Sequence, residues 1–350
     1  MIMRKINTAV IGFGLSGRVF HAPFLHVHPG FELRSIVSTS GDAKELYPEA
    51  QITQHYEDVL TDGKVELIVI CTPNLLHSNQ AKQAFEAGKH IVVEKPLTPT
   101  SAEASLLMKL AEQSGKRLFP YHNRRWDGDF MTLKEIIKNK TLGRLVEFES
   151  HFDRFAPVLK ADNWRYTMKA GGGTLYDLGI HLIDQAVCLF GLPQAVFCRM
   201  FTQREHSVVD DSFYLKMVYG ELDVTLKAGV FVKEPGPRFI LHGTRGSFVK
   251  YGLDPQEEAL RKGLMPGGKD WGKEDKSRWG ILHTESGGLS ARQKIETLPG
   301  NYMTFYNQVY EGIVHGREHD ISPGQAVTNL RIIEKALESN RQQQVIPYSS

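Results

Sequence analysis

Three glycines, at 12, 14 and 17, stand between a short apolar run (5–11) and a helical pattern through Val19, Phe20 and Leu25, which leaves few folds open to the chain. The order is strand, tight turn, helix. In Val10-Ile11-Gly12-Phe13-Gly14-Leu15-Ser16-Gly17, Gly12 makes the turn, Gly14 lets the backbone approach a pyrophosphate, and Gly17 allows close helix–strand packing. The helix N-terminus then favours the anion. A structural turn that merely needs three glycines is the alternative. The strand before and the helix after favour dinucleotide binding, with Phe13 and Leu15 on the same loop.

Further strand and helix patterns follow in alternation. Strands are expected at 31–37, 65–71, 90–94 and 117–121, and helices at 78–87, ended by Gly88, and at 101–114, with a serine N-cap signal. The apolar runs lack period-2 alternation, which suits a parallel sheet covered on both faces. Residues 1–123 therefore read as one doubly wound α/β dinucleotide-binding domain.

After about Asn123 the pattern changes. One helix (130–138) precedes long strands at 145–152, 196–203, 212–219, 222–231 and 238–251, several alternating apolar with polar, interrupted by a helix at 178–190. Alternation implies an antiparallel sheet with one half-covered face. Helices at 304–314 and 324–339 close the chain, and the Gly-, Lys- and Asp-rich stretch 263–290 reads as a long excursion, a lid or an interface arm. Residues 124–350 thus form a second, α+β domain, consistent with 350 residues being too many for one ordinary core.

Lys and Arg number 42 against 40 Asp and Glu, so a net charge of +2 gives no broad field for nucleic acid or an anionic membrane. Cys71, Cys188 and Cys198 have no zinc or disulfide spacing, no apolar stretch is long enough to span a membrane, and no export signal is visible. The expectation is a cytoplasmic protein.

Cofactor choice is read about 20 residues past the glycine loop, where NAD enzymes present an acid to the ribose. Here Ser38-Thr39-Ser40 stands instead, with Asp42 later. Without that carboxylate a 2′-phosphate is not repelled, and the hydroxyls with Lys44 suit it, so NADP is favoured over NAD. An N-cap cluster for the next helix is compatible with the same residues. Glu94-Lys95-Pro96 ends the strand at 90–94, and ligands of open parallel sheets bind beyond strand carboxyl ends. Pro96 restricts the backbone of Lys95, whose amine then enters the cofactor crevice. By spacing alone, a solvated surface lysine is the commoner outcome.

In Gly171-Gly172-Gly173-Thr174-Leu175-Tyr176-Asp177-Leu178-Gly179-Ile180-His181, Asp177 and His181 are four apart at a helix start and share a face. A carboxylate there orients an imidazole, or both touch one substrate, and a histidine near neutrality takes an alcohol proton as hydride leaves. A helix cap with a buried, satisfied histidine is the plainer alternative. A metal reading lacks an identifiable third ligand.

Taken together, the glycine loop, Thr72-Pro73-Asn74 with His77, Gly88-Lys89-His90 leading to Glu94-Lys95-Pro96, and Gly172-Gly173 leading to Asp177 and His181 resemble the Gfo/Idh/MocA oxidoreductases over essentially the whole chain. The resemblance implies a Rossmann domain followed by a mostly antiparallel α/β domain whose open sheet builds homodimers or homotetramers. It places Lys95, Asp177 and His181 on the family's catalytic positions, and Thr72, Pro73, Asn74, His77 and Glu94 beside the nucleotide. Gly14-Leu15-Ser16-Gly17-Arg18-Val19-Phe20-His21 with Pro23, and His122-Asn123-Arg124-Arg125-Trp126-Asp127, are similar to the NADP-dependent scyllo-inositol dehydrogenase branch. Asn123, Arg124 and Trp126, with Trp164 and Arg165, are candidate walls of a polyol pocket, an aromatic face and a donor fork suiting hydroxyls. For Arg124 a surface ion pair with Asp127 is an equal alternative. Phe20-His21-Ala22-Pro23 is expected to pack the first helix, and His26 and His28 to be exposed. Rival activities are an aldose or other sugar dehydrogenase and a non-catalytic NADP-binding sensor or co-regulator, against which the retained triad speaks.

Overall fold

The computed structural model describes residues 4–159, 166 and 170–348. The chain forms two compact units: Met1–Asn123 with Gln256–Trp271 and Asn301–Val327, and Arg124–Pro255 with Gly272–Gly300 and Thr328–Ser350.

The first unit is built on six parallel strands, β1 (Ile6–Ile11), β2 (Phe31–Val37), β3 (Gln51–Thr53), β4 (Leu67–Ile70), β5 (His90–Glu94) and β6 (Leu118–Tyr121), in the order β3-β2-β1-β4-β5-β6. Every residue of β4 is buried, as a strand covered on both faces requires. Strand order reverses between β1 and β4, so the carboxyl ends of those two strands flank the crevice where such sheets bind ligands. Strand β3 has no apolar periodicity to announce it, being three partly exposed residues. Helix Asn74–Glu86 starts four residues before the expected position, directly after Pro73. Helix Ser101–Ser114 is capped by Thr100 rather than by a serine, in a reciprocal capping box with Glu103.

The late segment of this unit supplies helix Met303–His315, whose Tyr306 ring stacks on Phe24 at 6.2 Å and meets Phe31 edge-on at 5.6 Å. His28 belongs to this packing. Expected at the surface, it is buried, accepting from the Gly30 N–H (2.9 Å) and pairing with Asn307 (3.0 Å), and burial lowers its pKa. His26 is exposed.

The second unit carries nine strands: β7 (Leu145–His151), β8 (Ala195–Phe201), β9 (Ser212–Tyr219), β10 (Leu222–Gly229), β11 (Phe239–Gly243), β12 (Gly246–Lys250), β13 (Gly280–Ser286), β14 (Leu289–Ile295) and β15 (Ile346–Pro347). Their order is β14-β13-β12-β11-β7-β10-β9-β8-β15, antiparallel throughout except between β7 and β10. Alternation is clear in β9, where Phe213, Leu215 and Met217 are buried. Helix Ile180–Phe190 packs on the sheet, with Phe190 5.2 Å from Phe148 of β7.

Two expectations need correction. The single strand expected at 238–251 is the hairpin β11–β12, turning at Thr244-Arg245. Its flanking glycines were the overlooked signal, since a Cβ at Gly243 would lie 2.3 Å from the Leu142 carbonyl. The second half of the 263–290 excursion is the sheet edge rather than a lid: β13 and β14 pair across Gly287-Gly288, both at positive φ. Nearly all of β14 is exposed, so it showed no apolar pattern.

Candidate functional site

The glycine loop leaves β1 at its carboxyl end. Gly12 adopts φ +89°, a region open chiefly to glycine, and a Cβ there would press on the Cys71 backbone at the end of β4. Gly17 approaches so closely that a Cβ would sit 2.1 Å from the Gly12 carbonyl. At Gly14 nothing lies within 4 Å of a Cβ position, so space stands open beside this backbone, where a pyrophosphate must approach. Phe13 turns inward against Tyr47 (6.0 Å between rings), while Leu15 is exposed at the rim. These residues fit a dinucleotide.

At the end of β5, Glu94 is buried and accepts hydrogen bonds from the Ser16 hydroxyl of the glycine loop, from His21 Nε2 (2.9 Å) and from the Lys95 N–H (3.0 Å). Burial pushes the Glu94 carboxyl up, but His21, Lys95 and Ser16 outweigh it and hold the group down to about 2. On its other side the His21 ring pairs through Nδ1 with the Tyr306 hydroxyl (2.6 Å). His21, read from sequence as packing alone, thus joins helix Met303–His315 to the residue preceding Lys95. Lys95 follows β5, and its bond to Pro96 is cis.

Past β4, Thr72 donates its hydroxyl to Gln80 (2.6 Å), Pro73 precedes helix Asn74–Glu86, and Asn74 is buried. His77 is also buried: Nε2 lies 2.8 Å from the Thr72 carbonyl and Nδ1 3.1 Å from that of Pro96, so the ring braces the segments after β4 and β5. Its pKa is lowered by burial. Past β2, the Ser38 hydroxyl accepts from the Ser40 N–H (2.9 Å) and Thr39 is exposed. Lys44 gives its amine to the Pro48 carbonyl (2.7 Å) instead of joining that group. The cation there is Arg18, missed from sequence, 3.0 Å from Asp42, which also accepts from the Ser40 hydroxyl.

Asn123 opens a 3-10 turn, Asn123–Trp126, and it and Trp126 are buried. In the second unit Arg124 is buried, with its guanidinium 3.4 Å from Asp127 and 4.8 Å over the Phe152 ring, so the pair with Asp127 is present but buried, not at the surface as the alternative had it. Arg125 is paired with Asp184, 2.8 and 2.7 Å. Trp164 and Arg165 lie outside the described residues.

Asp177 lies in a π turn, Leu175–Gly179, that runs directly into the α-helix bearing the buried His181. Residues advance by less than the α-helical 100° in such a wider turn, so a four-residue separation comes closer to one full revolution. That sharpens the shared face expected from sequence. Arg154 Nη1 lies 4.0 Å from Asp177 Oδ2. The turn is anchored by Asp210, whose carboxylate accepts from the Leu175 N–H (2.8 Å) and whose carbonyl accepts from the Thr174 N–H (3.0 Å). Arg154 and Asp210 carried no sequence signal, both being polar residues in loops outside any periodic pattern.

Comparison with known proteins agrees with this architecture. Residues 6–122 match an oxidoreductase family's NAD-binding Rossmann fold, and residues 134–348 match that family's C-terminal alpha/beta domain. The chain is 37% identical over 347 residues to a scyllo-inositol 2-dehydrogenase (NADP(+)) of Bacillus subtilis, covering 98% of this chain and 97% of the relative. It is 39% identical to an uncharacterised oxidoreductase of Escherichia coli, over 96% of each chain. A solved structure described as an oxidoreductase of Bacillus subtilis superposes with a TM-score of 0.94 at 35% identity over 100% of both chains.

Proposed function

Because the chain belongs to the Gfo/Idh/MocA oxidoreductase family, we propose that it moves a hydride between a nicotinamide and a carbon bearing a cyclitol or sugar hydroxyl, with NADP-dependent scyllo-inositol 2-dehydrogenase its first-choice activity. What supports this reading most is that the π turn bearing Asp177 runs directly into the α-helix bearing the buried His181, four residues on. Lys95 at the end of β5 is the third member.

A bound nicotinamide supplies the hydride acceptor. On the protein side, Gly12, Gly14 and Gly17 shape the pyrophosphate cradle, and Glu94 fixes the segment from which Lys95 projects. His181 accepts the hydroxyl proton, Lys95 stabilises the developing alkoxide, and Asp177 orients His181 or the substrate. The preference for NADP rests on hydroxyls in place of an acid at 38–40, with Arg18 rather than Lys44 as the neighbouring cation. Subunits are proposed to meet through the open face of the nine-stranded sheet, where Tyr214, Lys216 and Val218 of β9 are half-buried. A monomer by light scattering rejects that contact.

The test is a nicotinamide absorbance screen with NAD and NADP against inositol isomers, aldoses and 2-keto-inositol. Turnover of an inositol with NADP is the expected result. Turnover of aldoses alone assigns a sugar dehydrogenase, and NADPH binding with no turnover anywhere assigns a non-catalytic sensor.

A further inference from the structure

We propose that Arg154 is a substrate-binding residue, donating its guanidinium fork to two neighbouring hydroxyls of a neutral, polyhydroxylated ring. The inference rests on the role given above to Asp177 and His181, and it names a subsite beside them.

The backbone of Arg154 is held through both its N–H and its carbonyl by the segment 229–232. Its N–H donates to the Gly229 carbonyl (2.9 Å), its carbonyl accepts from the Val232 N–H (3.0 Å), and the next residue, Phe155, bridges to Phe231. Its guanidinium lies 5.1 Å over the Phe152 ring and 4.0 Å from Asp177, longer than a hydrogen bond. Among the described residues these two contacts leave the N–H donors of Arg154 unspent. The side chain is 38% exposed. A stacked, anchored guanidinium loses little freedom on binding, which is the condition for an effective donor.

Charge decides the class of ligand. Phe152 is buried beneath three guanidinium groups, those of Arg124 (4.8 Å), Arg154 (5.1 Å) and Arg238 (5.2 Å). Each has its own carboxylate: Asp127 at 3.4 Å from Arg124, Asp129 at 4.0 Å from Arg238, and Asp177 at 4.0 Å from Arg154. Next to them His151 is bracketed by Glu149 (2.8 Å) and Asp153 (3.5 Å). Among the described residues, this three-arginine cluster is therefore balanced by its own carboxylates and carries no excess charge of its own to hold a phosphate or a carboxylate. A donor fork beside an acceptor instead matches hydroxyls, which give and take hydrogen bonds at once. Arg124 and Arg238 are buried, so Arg154 is the one of the three exposed enough to reach a ligand.

The experiment compares wild-type protein with R154M, which keeps an apolar stem on Phe152, and R154K, which keeps charge without the fork. Each is saturated with NADP and assayed on inositols, glucose, glucuronate and glucose 6-phosphate, with NADPH affinity measured separately by fluorescence. We expect KM for the neutral substrate to rise about 10–100-fold in both variants, with kcat changed only a few-fold and NADPH affinity unchanged. An unchanged KM in R154M, full rescue by R154K, or a wild-type preference for the anionic sugars overturns the proposal. Wild-type inactivity toward every neutral polyol sinks the functional reading and this subsite together, whereas an active wild type with an indifferent R154M sinks the subsite alone.

Discussion

Replacing His181 with alanine is expected to lower turnover by roughly 10²–10⁴, the usual share of a positioned acid/base, while cofactor affinity stays near wild type. Steady-state rates beside a cofactor titration separate the two, and an undiminished rate removes His181 from the mechanism. Asp210 acts differently, through stability. Burial pushes its carboxyl up to about 7, against the backbone hydrogen bonds from Leu175 and Thr174 that favour the ionised form. The unfolded chain therefore releases this proton first as pH rises from its ordinary value of 3.8, and stability declines between there and about 7. Asp210→Asn removes the charge and keeps an acceptor for Leu175, so its melting temperature should exceed that of wild type by on the order of a few degrees near pH 8, the gap narrowing toward pH 5. A gap independent of pH would contradict this. Glu94 has the opposite sign. Held at about 2, it lends stability that is present above its ordinary 4.5 and lost as pH falls toward 2.

At the scale of elements, the two sites begin in the same way. Gly17–His21 and Leu175–Gly179 are both π turns, and each runs into an α-helix. The second depends on Gly173, at φ +92°, where a Cβ would lie 2.0 Å from Asp210 Oδ1. Gly173→Ala should cost about 1–3 kcal/mol and depress turnover without loosening the nucleotide, a combination read from thermal melts and from NADPH binding. Sequence made the strands of the first sheet legible because buried parallel strands are continuous apolar runs, and β5 appears at its expected limits. It made the glycine loop legible because φ at Gly12 and close approach at Gly17 exclude a side chain. What stayed hidden was held by contacts far apart in the chain. The clasp of Tyr306 on His21, the ion pair of Arg154 with Asp177 and the anchoring of Leu175 by Asp210 leave no local pattern. The exposed strand β14 failed for the opposite reason, since it buries almost nothing.

For the molecule as a whole, the telling feature is that the nucleotide-binding unit is not finished when its sixth strand is. Gln256 accepts from the Tyr302 N–H (2.8 Å) and from Trp271 (3.1 Å), and Tyr306 completes the His21–Glu94 cluster, so residues far along the chain close the first core. A fragment of residues 1–123 should accordingly fail to melt cooperatively or to hold NADPH, by calorimetry and fluorescence. During translation the ribosome adds about 5–20 residues each second, so the opening domain waits on the order of 10–40 s for its last helix. Over that interval the aromatic faces of Phe24 and Phe31 lack the Tyr306 ring that covers them in the finished fold, a delay set by the order in which the parts are made.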